Sequence, residues 1–448
     1  MLELLLVQNE NKALEFKENA KSLMPIIKTV IAFANTAGGN IVIGVQDKKN
    51  KVIGVENPLQ DEERLASAIV DSIEPLVIPD IQIITFRNRE LLIIQVPHLA
   101  GPVYLKSSGL ERGTYIRVGS TNRAADSETI LSLKMLAKNI SFDELPCIKA
   151  SINDLDSKEI STYLSPVFGE ITKKQYESLG LITRQHAQQR PTNAGILLFC
   201  PDRFRWFPDT AIACVCFADE THEEIIDQQV IHSSLLVAHE VVFAFIRRNT
   251  KMRAEIQAGA RKDISQYPEK AIREAFINAV VHADYALKGS RIQVSIFSDR
   301  IEITNPGSLP YGQTMALALS GVSRMRNRVL GRLFRELKLI EQLGTGLKRI
   351  LAVYEKIRAK SPLFQEIDTH FRVTLYTADS STVELTPWEK QLTEKLNHET
   401  ELSTTEIAKL WKVTTRTART RLKKMLEMNL INRIATSAKD PQAIFKLK

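Results

Sequence analysis

Three polar side chains recur at helical spacing near the middle of the chain. Glu274, Asn278 and His282 stand at i, i+4 and i+8, so they share one face of a helix predicted over about Pro268–Ala283. Two predicted strands follow, then Asn305-Pro306-Gly307, and later Gly344-Thr345-Gly346-Leu347. Glycines let a backbone approach a phosphate closely, and a helix that begins just after them adds the positive end of its dipole. The combination indicates a nucleotide site.

The order of these motifs resembles the GHKL, or Bergerat-type, ATP-binding fold over about Thr192–Tyr376. It is most similar to a divergent bacterial version found in proteins often labelled RecG-related regulators. The resemblance implies ATP and Mg²⁺, with Asn278 helping to hold the metal and Glu274 polarising a hydrolytic water. It also implies glycines beside the phosphates and a basic lid. The implied contacts are Asn278, Asn305, Gly307, Arg324, Arg326, Asn327, Arg328, Gly344, Thr345 and Gly346.

One position departs from that family. The usual fold places Asp before the first glycine box, where it accepts a hydrogen bond from the adenine amino group, and this chain has Asn305 there. An amide accepts the same bond through its carbonyl, without the added strength of a charge. Nucleotide choice and hydrolysis therefore remain open, and for His282 and Tyr285 we expect simple packing.

Three carboxylates near the start of the chain form a second candidate site. Glu10, Glu15 and Asp47 accompany Glu-Phe-Lys, Asn-Thr-x-Gly-Gly and Tyr-x-Arg-x-Gly-Ser motifs, which resemble the Schlafen AlbA-like domain over roughly the first 140 residues. The family is regarded as nucleic-acid binding, and some members are endoribonucleases that use three carboxylates. Converging carboxylates bind a divalent cation, Mg²⁺ or alternatively Mn²⁺, which activates water. In the alternative, Glu15 pairs with Lys17 and Asp47 shapes a turn.

Basic residues of the same segment are candidates for contact with phosphate. Lys17 belongs to the Glu-Phe-Lys motif and Arg117 to the Tyr-x-Arg motif, while Lys106 and Arg123 lie near it. Lysine and arginine side chains neutralise nucleic-acid phosphates. We therefore expect these four residues on a nucleic-acid-binding surface.

The C-terminal segment resembles a winged helix-turn-helix. Its pattern predicts a helix after Thr386-Pro387, a second helix at Thr405–Trp411 and a third at Thr415–Met428, followed by a hairpin. Six basic residues and no acidic residue lie between Trp411 and Lys424. In this motif the third helix enters the major groove, and the alternative is a solvated basic face on a protein-binding module. The candidate contacts are Arg416, Arg419, Arg421 and Lys423.

The remaining elements predict an α+β multidomain protein. The first segment alternates helices and strands, beginning with an amphipathic helix at Leu23–Asn35 that stops at Gly38-Gly39. In the middle segment we expect a strand at Gly195–Cys200, a helix at about Gln229–Arg247, and helical structure over Arg328–Ile357. The predicted divisions are an AlbA-like domain at 1–140, a helical connector at 141–191, a GHKL-like α/β sandwich at 192–380, and a winged helix at 386–448.

Composition excludes some classes of protein. The chain has 448 residues, 44% hydrophobic and 25% charged, which is typical of folded domains. Of its net charge of +8, the last 63 residues carry +6. Cys214 and Cys216 lie in a predicted buried strand, and nothing in the cysteine spacing suggests disulfides or a metal site. Without an apolar run of membrane-spanning length or a secretion signal, we expect a cytoplasmic protein with no membrane partner.

These features support two functions of different classes. The first is a nucleotide-responsive transcriptional regulator that binds DNA, more readily than RNA, through its outer modules and ATP through its centre, as a homodimer or higher homo-oligomer. The second is a metal-dependent endoribonuclease that uses Glu10, Glu15 and Asp47 on tRNA-like or rRNA substrates in stress or phage defence. A helicase motor is weakest, because the sequence has no Gly-x4-Gly-Lys-Ser/Thr loop.

Overall fold

In a computed structural model, the protein consists of three groups of secondary-structure elements that follow one another along the chain. The structure describes residues 2–46, 51–185, 188–250, 252–257, 260–340, 345–357, 359–378, 386–398, 401–427, 430–434, 440 and 443–447. Helices and strands alternate throughout, so the chain is a multidomain α+β protein, as predicted. No helix within those ranges is both long and apolar enough to span a bilayer.

The first group surrounds a four-stranded sheet that is covered on both faces. Its strand order is β1-β2-β7-β6, with β1 parallel to β2 and the other pairs antiparallel. Its elements are α1 (Leu2–Leu6), β1 (Leu14–Lys17), α2 (Leu23–Thr36), β2 (Gly39–Ile43), β3 (Val45–Gln46), β4 (Lys51–Val52), α3 (Pro58–Ser72), β5 (Ile73–Glu74), β6 (Asp80–Phe86), β7 (Arg89–Val96), β8 (Tyr104–Leu105), α4 (Gly109–Gly113), β9 (Tyr115–Val118), β10 (Thr121–Ala124) and α5 (Ser127–Ala137).

Helix α2 supplies most of one apolar layer of this group. Val30, Ile31 and Phe33 on α2 are fully buried and pack with Ile41 and Ile94 of the sheet. The helix ends where Gly38 takes a φ of +72°, and a Cβ there would lie 2.8 Å from the carbonyl oxygen of Val96. Only glycine combines that backbone angle with so close an approach. The double glycine therefore fixes where α2 meets the sheet.

The central group is built on a six-stranded sheet of order β14-β13-β17-β18-β20-β19. β13 and β17 are parallel, and every other neighbouring pair is antiparallel. Its elements are α6 (Ser157–Phe168), α7 (Lys173–Ser178), β11 (Ile182–Gln185), β12 (Gln188–Pro191), α8 (Asn193–Phe199), β13 (Ile212–Phe217), β14 (Ile225–Ile231), α9 (Leu235–Asn249), β15 (Met252–Gln257), β16 (Ala260–Ser265), α10 (Glu269–His282), β17 (Ile292–Ile296), β18 (Arg300–Pro306), α11 (Met315–Ser320), α12 (Arg328–Glu336), α13 (Gly346–Lys356), β19 (Leu363–Ile367) and β20 (His370–Tyr376).

Two predictions about the central group are wrong in detail. The predicted strand at Gly195–Cys200 is the helix α8, which begins where the Thr192 hydroxyl accepts a 3.0 Å hydrogen bond from the amide of Gly195. The predicted helix at Gln229–Arg247 begins instead as β14, and α9 starts only at Leu235. Gly195–Cys200 is a short apolar run, for which periodicity does not separate helix from strand. In the other segment the side chain of Ser234 caps α9 by accepting from the amide of Val237, which marks where the helix begins.

The predicted helical stretch Arg328–Ile357 contains the helices α12 and α13. Strand β13 confirms the predicted buried strand that carries Cys214 and Cys216. Burial raises the pKa of the Cys214 thiol to about 12, so this thiol is protonated and inert at neutral pH.

The described residues of the C-terminal group form three helices and a three-stranded sheet. Its elements are α14 (Pro387–His398), β21 (Leu402–Ser403), α15 (Thr404–Leu410), α16 (Thr415–Glu427), β22 (Ile431–Ile434) and β23 (Ile444–Leu447). Ser403 and Glu406 form the predicted capping box at the start of α15. The two closing strands pair antiparallel as predicted, and β21 pairs with β23. Ala418, Leu422 and Met425 bury the inner face of α16.

Candidate functional site

The three polar residues at helical spacing on α10 line one cavity. Glu274, Asn278 and His282 form part of its wall, together with the strand end at Asn305 and the start of α13. The cavity combines apolar walls with a few convergent polar groups, which is the usual character of a ligand site. Its apolar wall includes Ala275, Ala279, Val281, Leu309, Ile340, Phe371 and Val373.

The first turn of α13 is the polar end of the cavity. A Cβ on Gly346 would lie 2.4 Å from Oε1 of Glu274 and 2.5 Å from Nδ2 of Asn278. Only a residue without a side chain leaves room for these two groups beside the backbone of α13. The unpaired amides of a helix N-terminus favour anionic groups. Thr345 precedes this helix, and the predicted contact Gly344 lies outside the described residues.

Arg349, which the sequence analysis did not single out, holds the carboxylate of Glu274. Its Nη2 lies 3.1 Å from Oε2 of Glu274, and Nδ2 of Asn278 lies 3.4 Å from Oε1. Arg349 stands one helical turn after Gly346, which is the only signal in the sequence that could have pointed to it. The ion pair fixes the carboxylate at the polar end of the cavity.

The orientation of the Asn305 side chain is set by the backbone beside it. Asn305 is 3% exposed, and its Nδ2 donates to the carbonyl oxygens of Pro306 at 2.9 Å and Gly307 at 3.4 Å. Both amide protons are therefore used within the chain. The carbonyl oxygen Oδ1 is the atom of this side chain that remains to accept a hydrogen bond from a ligand in the cavity.

His282 is neutral at physiological pH. Burial, followed by the nearby positive charge of Arg326, lowers its pKa from 6.5 to about 4. Tyr285 donates a 2.7 Å hydrogen bond to the carbonyl oxygen of Val280, and burial raises its pKa. Tyr285 therefore has the packing role expected for it, whereas His282 also forms part of the cavity wall.

The four predicted lid residues do not line the cavity in this structure. Arg326 pairs with Asp284 at 2.8 Å, and the Nδ2 of the fully buried Asn327 donates to the carbonyl oxygens of Val281 and Ala283 at 2.9 and 2.8 Å. Arg328 bonds the side chains of Asn139 and Glu144. Arg324 is exposed, and its Nη1 lies 3.5 Å from the carbonyl oxygen of Tyr311. Asn327 thus holds the end of α10 rather than covering a ligand.

Two of the three carboxylates of the N-terminal candidate site, Glu10 and Glu15, are engaged within the protein. Glu10 accepts a 2.9 Å hydrogen bond from the amide of Phe16, and Glu15, 6% exposed, pairs with both Lys17 and Arg117. Asp47 lies outside the described residues. Among the residues that are described, no group of three or more His, Cys, Asp or Glu side chains is arranged to hold a metal ion.

Arg117 does not belong to the exposed basic surface that the sequence suggested. Its side chain is 1% exposed, because Arg117 lies in β9 with its guanidinium turned toward Glu15 and Asn122. The ion pair between Glu15 and Lys17 is present as the alternative interpretation proposed. Arg123 and Lys106 are exposed, and Lys106 also donates to the carbonyl oxygen of Val70.

The candidate basic residues of helix α16 lie in two environments, solvent and an aromatic contact. Arg416, Arg419 and Lys423 are exposed to solvent. Arg421 instead lies over Trp388 and Trp411, with its guanidinium carbon 5.0 and 5.6 Å from the two ring centroids. Arg421, one of the four candidate contacts with nucleic acid, therefore lies on the packed side of the helix. The two tryptophans, 5.2 Å apart and edge to face, were missed because they are distant in sequence.

Family models match two separate parts of the chain. Residues 10–126 match the model described as Schlafen, AlbA_2, and residues 289–375 match the model described as "Putative ATP-dependent DNA helicase recG C-terminal". The chain thus combines a Schlafen AlbA_2 segment with a RecG C-terminal-like segment. This confirms the predicted AlbA-like and ATPase-like regions. The RecG-like match begins after α10, so it includes Asn305 and Gly346 but not Glu274 or Asn278.

Relatives with similar sequences cover the chain to different extents. An uncharacterized ATP-binding protein of Ureaplasma parvum is 22% identical over 183 residues, which are 39% of this chain and 50% of that protein. The chain thus matches half the length of this relative. A crystal structure of a Corynebacterium diphtheriae protein is 20% identical and aligns with 100% of this chain and 96% of its own, at a TM-score of 0.46. The N-terminal domain of a RecG-related protein from Nitrosomonas europaea is 28% identical over 28% of this chain and 90% of its own, at a TM-score of 0.22.

Proposed function

We propose that the protein is a nucleic-acid-binding regulator that responds to a nucleotide, with ATP bound in the central cavity and DNA bound by the outer groups. The observation that carries this proposal is the cavity itself, which brings Glu274, Asn278, Asn305 and Gly346 together from separate elements. The name of the Ureaplasma relative and the two family matches support it. On this proposal the central group is a GHKL-like module.

The cavity residues fit the parts of ATP by their chemistry. Oδ1 of Asn305 is oriented to accept a hydrogen bond from an exocyclic amine such as that of adenine. The N-terminus of α13 at Gly346 offers backbone amides to the phosphates. Asn278 supplies an oxygen ligand of the kind that Mg²⁺, or alternatively Mn²⁺, accepts.

Glu274 is the residue that would orient a water for hydrolysis. Its pairing with Arg349 leaves the carboxylate fixed but partly neutralised, so we propose that nucleotide binding is the primary activity and turnover is slow. A bound metal would supply positive charge at the phosphates. The described wall of the cavity contains no lysine or arginine, so this charge or a movement of the nearby arginines is needed.

The C-terminal group supports binding to duplex DNA. Its order of three helices and a closing hairpin supports a winged helix-turn-helix, in which we propose α16 as the recognition helix. Exposed Arg416, Arg419 and Lys423 offer charge to phosphates and donors to guanine edges. Exposed Arg123 and Lys106 are the proposed contacts on the N-terminal group.

Two binding measurements test the proposal. Titration with ATP and Mg²⁺ is expected to give saturable binding that Gly346→Val abolishes, because the added side chain would overlap Glu274 and Asn278. DNA binding is expected to weaken steeply with salt and to fall when residues 386–448 are removed. Unchanged DNA affinity after that deletion, or ATP binding indifferent to Gly346→Val, would refute the corresponding half of the proposal.

The endoribonuclease hypothesis receives less support from the geometry. Glu15, one of its three proposed carboxylates, is buried and already paired with two cations. A metal ligand needs a carboxylate that is available to the ion. We therefore do not extend the proposal to RNA cleavage.

We also propose that the protein forms a homodimer through the edge strand β14. Ile226 and Val230 on this strand are 65% and 48% exposed. In a two-fold antiparallel pairing centred on Gln228, Ile226 of one copy lies opposite Val230 of the other. The opposite edge strand, β19, is already engaged, because its Glu366 pairs with Lys12 of the N-terminal group at 2.8 Å.

A further inference from the structure

One segment covers the central cavity and also touches the N-terminal group. Residues 308–325, here called the covering segment, contribute Leu309, Pro310, Gln313 and Val322 to the cavity wall. The segment includes the short helix α11. Nε2 of Gln313 donates to the carbonyl oxygen of Val322 at 2.7 Å, and Oε1 of Gln313 accepts a 3.2 Å hydrogen bond from the amide of Arg324. The segment is therefore a closed loop that holds its own shape.

The covering segment is attached to the end of α2. The amide of Gly312 donates a 2.5 Å hydrogen bond to the carbonyl oxygen of Thr36. Gly312 has a φ of +79°, and a Cβ at this position would collide with the ring of His98 and with the guanidinium of Arg324. The backbone of the covering segment thus lies directly against the N-terminal group, with no side chain between them.

A second attachment involves the carboxylate of Glu366 on β19. Its Oε1 accepts a 2.8 Å hydrogen bond from the amide of Leu309 and lies 2.8 Å from Nζ of Lys12. Lys12 and Glu366 are 20% and 24% exposed at their side chains, so water only partly screens this pair. One carboxylate therefore connects the covering segment to the N-terminal group.

Thr36 also belongs to the packing of the proposed nucleic-acid surface. Its Oγ1 accepts a 2.9 Å hydrogen bond from the amide of Arg117, which lies on β9. β9 pairs with β10, which carries the exposed Arg123. Two hydrogen-bonded contacts, Gly312 to Thr36 and Thr36 to Arg117, thus connect the cavity cover to the β9–β10 hairpin.

Arg324 gives a ligand in the cavity a way to act on this contact. It is exposed, its hydrogen bond to Tyr311 is long at 3.5 Å, and it lies beside both Gly312 and His98. Its guanidinium is thus close to His98 of the N-terminal group, and burial together with this charge lowers the pKa of His98 to about 4. A polyphosphate would attract Arg324 away from that position, because the described cavity wall supplies no lysine or arginine.

We propose that the covering segment couples the cavity to the N-terminal group, so that ATP and nucleic acid each change the affinity of the protein for the other. This inference rests on the proposed function, because it requires that both ligands bind. The coupling is reciprocal by thermodynamic necessity, and couplings of this kind commonly change affinity by about 5-fold or more. Loss of the Lys12–Glu366 contact reduces the coupling without removing either binding site.

The test uses the full-length chain, a fluorescent ATP analogue with Mg²⁺, and a duplex DNA of random sequence. The Kd for the nucleotide is measured with and without saturating DNA, and the Kd for DNA with and without saturating ATP. The variants are Lys12→Met, which removes the contact to Glu366 but leaves Glu366 to bind Leu309, and the control Lys21→Met. Lys21 is an exposed lysine of the same group.

For each ligand we take the ratio of its Kd with the other ligand to its Kd alone. In the wild type and in Lys21→Met we expect the two ratios to agree and to differ from one by about 5-fold or more. In Lys12→Met we expect both ratios to approach one, while the Kd for nucleotide alone changes by less than about twofold. Ratios of one in the wild type with both ligands bound, or equal ratios in all three proteins, would overturn the inference. Failure of the wild type to bind nucleotide at all would instead refute the proposed function.

Hydrogen exchange gives an independent readout that needs no nucleic acid. Saturating ATP is expected to change the exchange of amides 33–38 at the end of α2 as well as those of the covering segment. The change at 33–38 should be smaller in Lys12→Met than in Lys21→Met. A response confined to the covering segment in the wild type would contradict the coupling.

Discussion

Arg117 provides the sharpest test of how the N-terminal group is built. The sequence suggested a phosphate contact, whereas the structure places the guanidinium in a buried ion pair with Glu15. The same side chain donates to the carbonyl oxygen of Asn11 at 3.2 Å and to Oδ1 of Asn122 at 2.9 Å, and it lies 5.2 Å from the ring centroid of Phe33. We predict that Arg117→Met destabilises the protein rather than weakening a direct contact with nucleic acid.

The magnitude follows from what the substitution leaves behind. Removing one partner of a buried ion pair costs about 3–5 kcal/mol, because the other charge stays buried. Lys17 remains beside Glu15 with a side chain that is 29% exposed, so the loss should lie at the lower end, about 3 kcal/mol. In a domain of this size, each kcal/mol of lost stability lowers the midpoint of thermal unfolding by about 3 °C. We therefore expect the midpoint of the N-terminal group to fall by about 10 °C.

Calorimetry and DNA titration together separate the two roles of Arg117. Arg123→Met is the matched control, because Arg123 is exposed on the neighbouring strand; we expect its stability to change by less than about 0.5 kcal/mol while its DNA affinity falls. Adding Glu15→Gln to Arg117→Met should restore part of the lost stability, since no buried charge then remains unpaired. The reasoning would be refuted if Arg117→Met left the thermal transition of the N-terminal group unshifted but weakened DNA binding at low temperature.

Further predictions concern the other sites. Arg419→Ala should weaken DNA binding at unchanged stability, whereas Arg421→Ala should lower the midpoint of the C-terminal transition, because it removes the contact with Trp388; the reverse pattern in the same two assays would contradict the placement of α16. His98 and His282 have pKa values of about 4 in the folded protein, against an ordinary value of 6.5, so the unfolded chain binds more protons between these values. The free energy of unfolding should therefore fall as the pH drops from 6.5 to 4, by up to about 3 kcal/mol per histidine, and urea titrations of His282→Gln should show a shallower fall. Val230→Lys should convert a dimer to a monomer in sedimentation, with Leu363→Lys on β19 as the control, and a monomeric wild type would exclude the β14 interface.

The sequence predicted the cavity better than it predicted the residues around it. Spacing alone was enough to place Glu274, Asn278 and His282 on one face of α10, because helical periodicity is a local property. Asn305 and Gly346 could be added because glycine motifs have a local conformational meaning. The partner of Glu274, Arg349, was not predictable, since the ion pair depends on how α13 packs on α10.

Basic residues were the least predictable class. The alternation of side chains along β9 is a local property, but it does not reveal that the buried side of β9 faces Glu15, 102 residues earlier in the chain. In the sequence, Arg421 and Arg419 are equivalent basic residues of one helix. They differ in the structure because Trp388 of α14 packs against Arg421. In the same way, a buried apolar run such as α8 has no polar side from which its periodicity can be read.

The carboxylate of Glu366 also has a consequence for how the chain is made. Lys12 leaves the ribosome well before its partner Glu366, which lies 354 residues later in the chain. Domains fold from the N-terminus during synthesis, so the four-stranded sheet is expected to form while the cover of the cavity has still to be translated. Contacts between residues so far apart in sequence form slowly, because a long loop must close first. The cavity is thus completed only after the four-stranded sheet has formed, so the N-terminal group is a folded surface on which the cover of the cavity assembles.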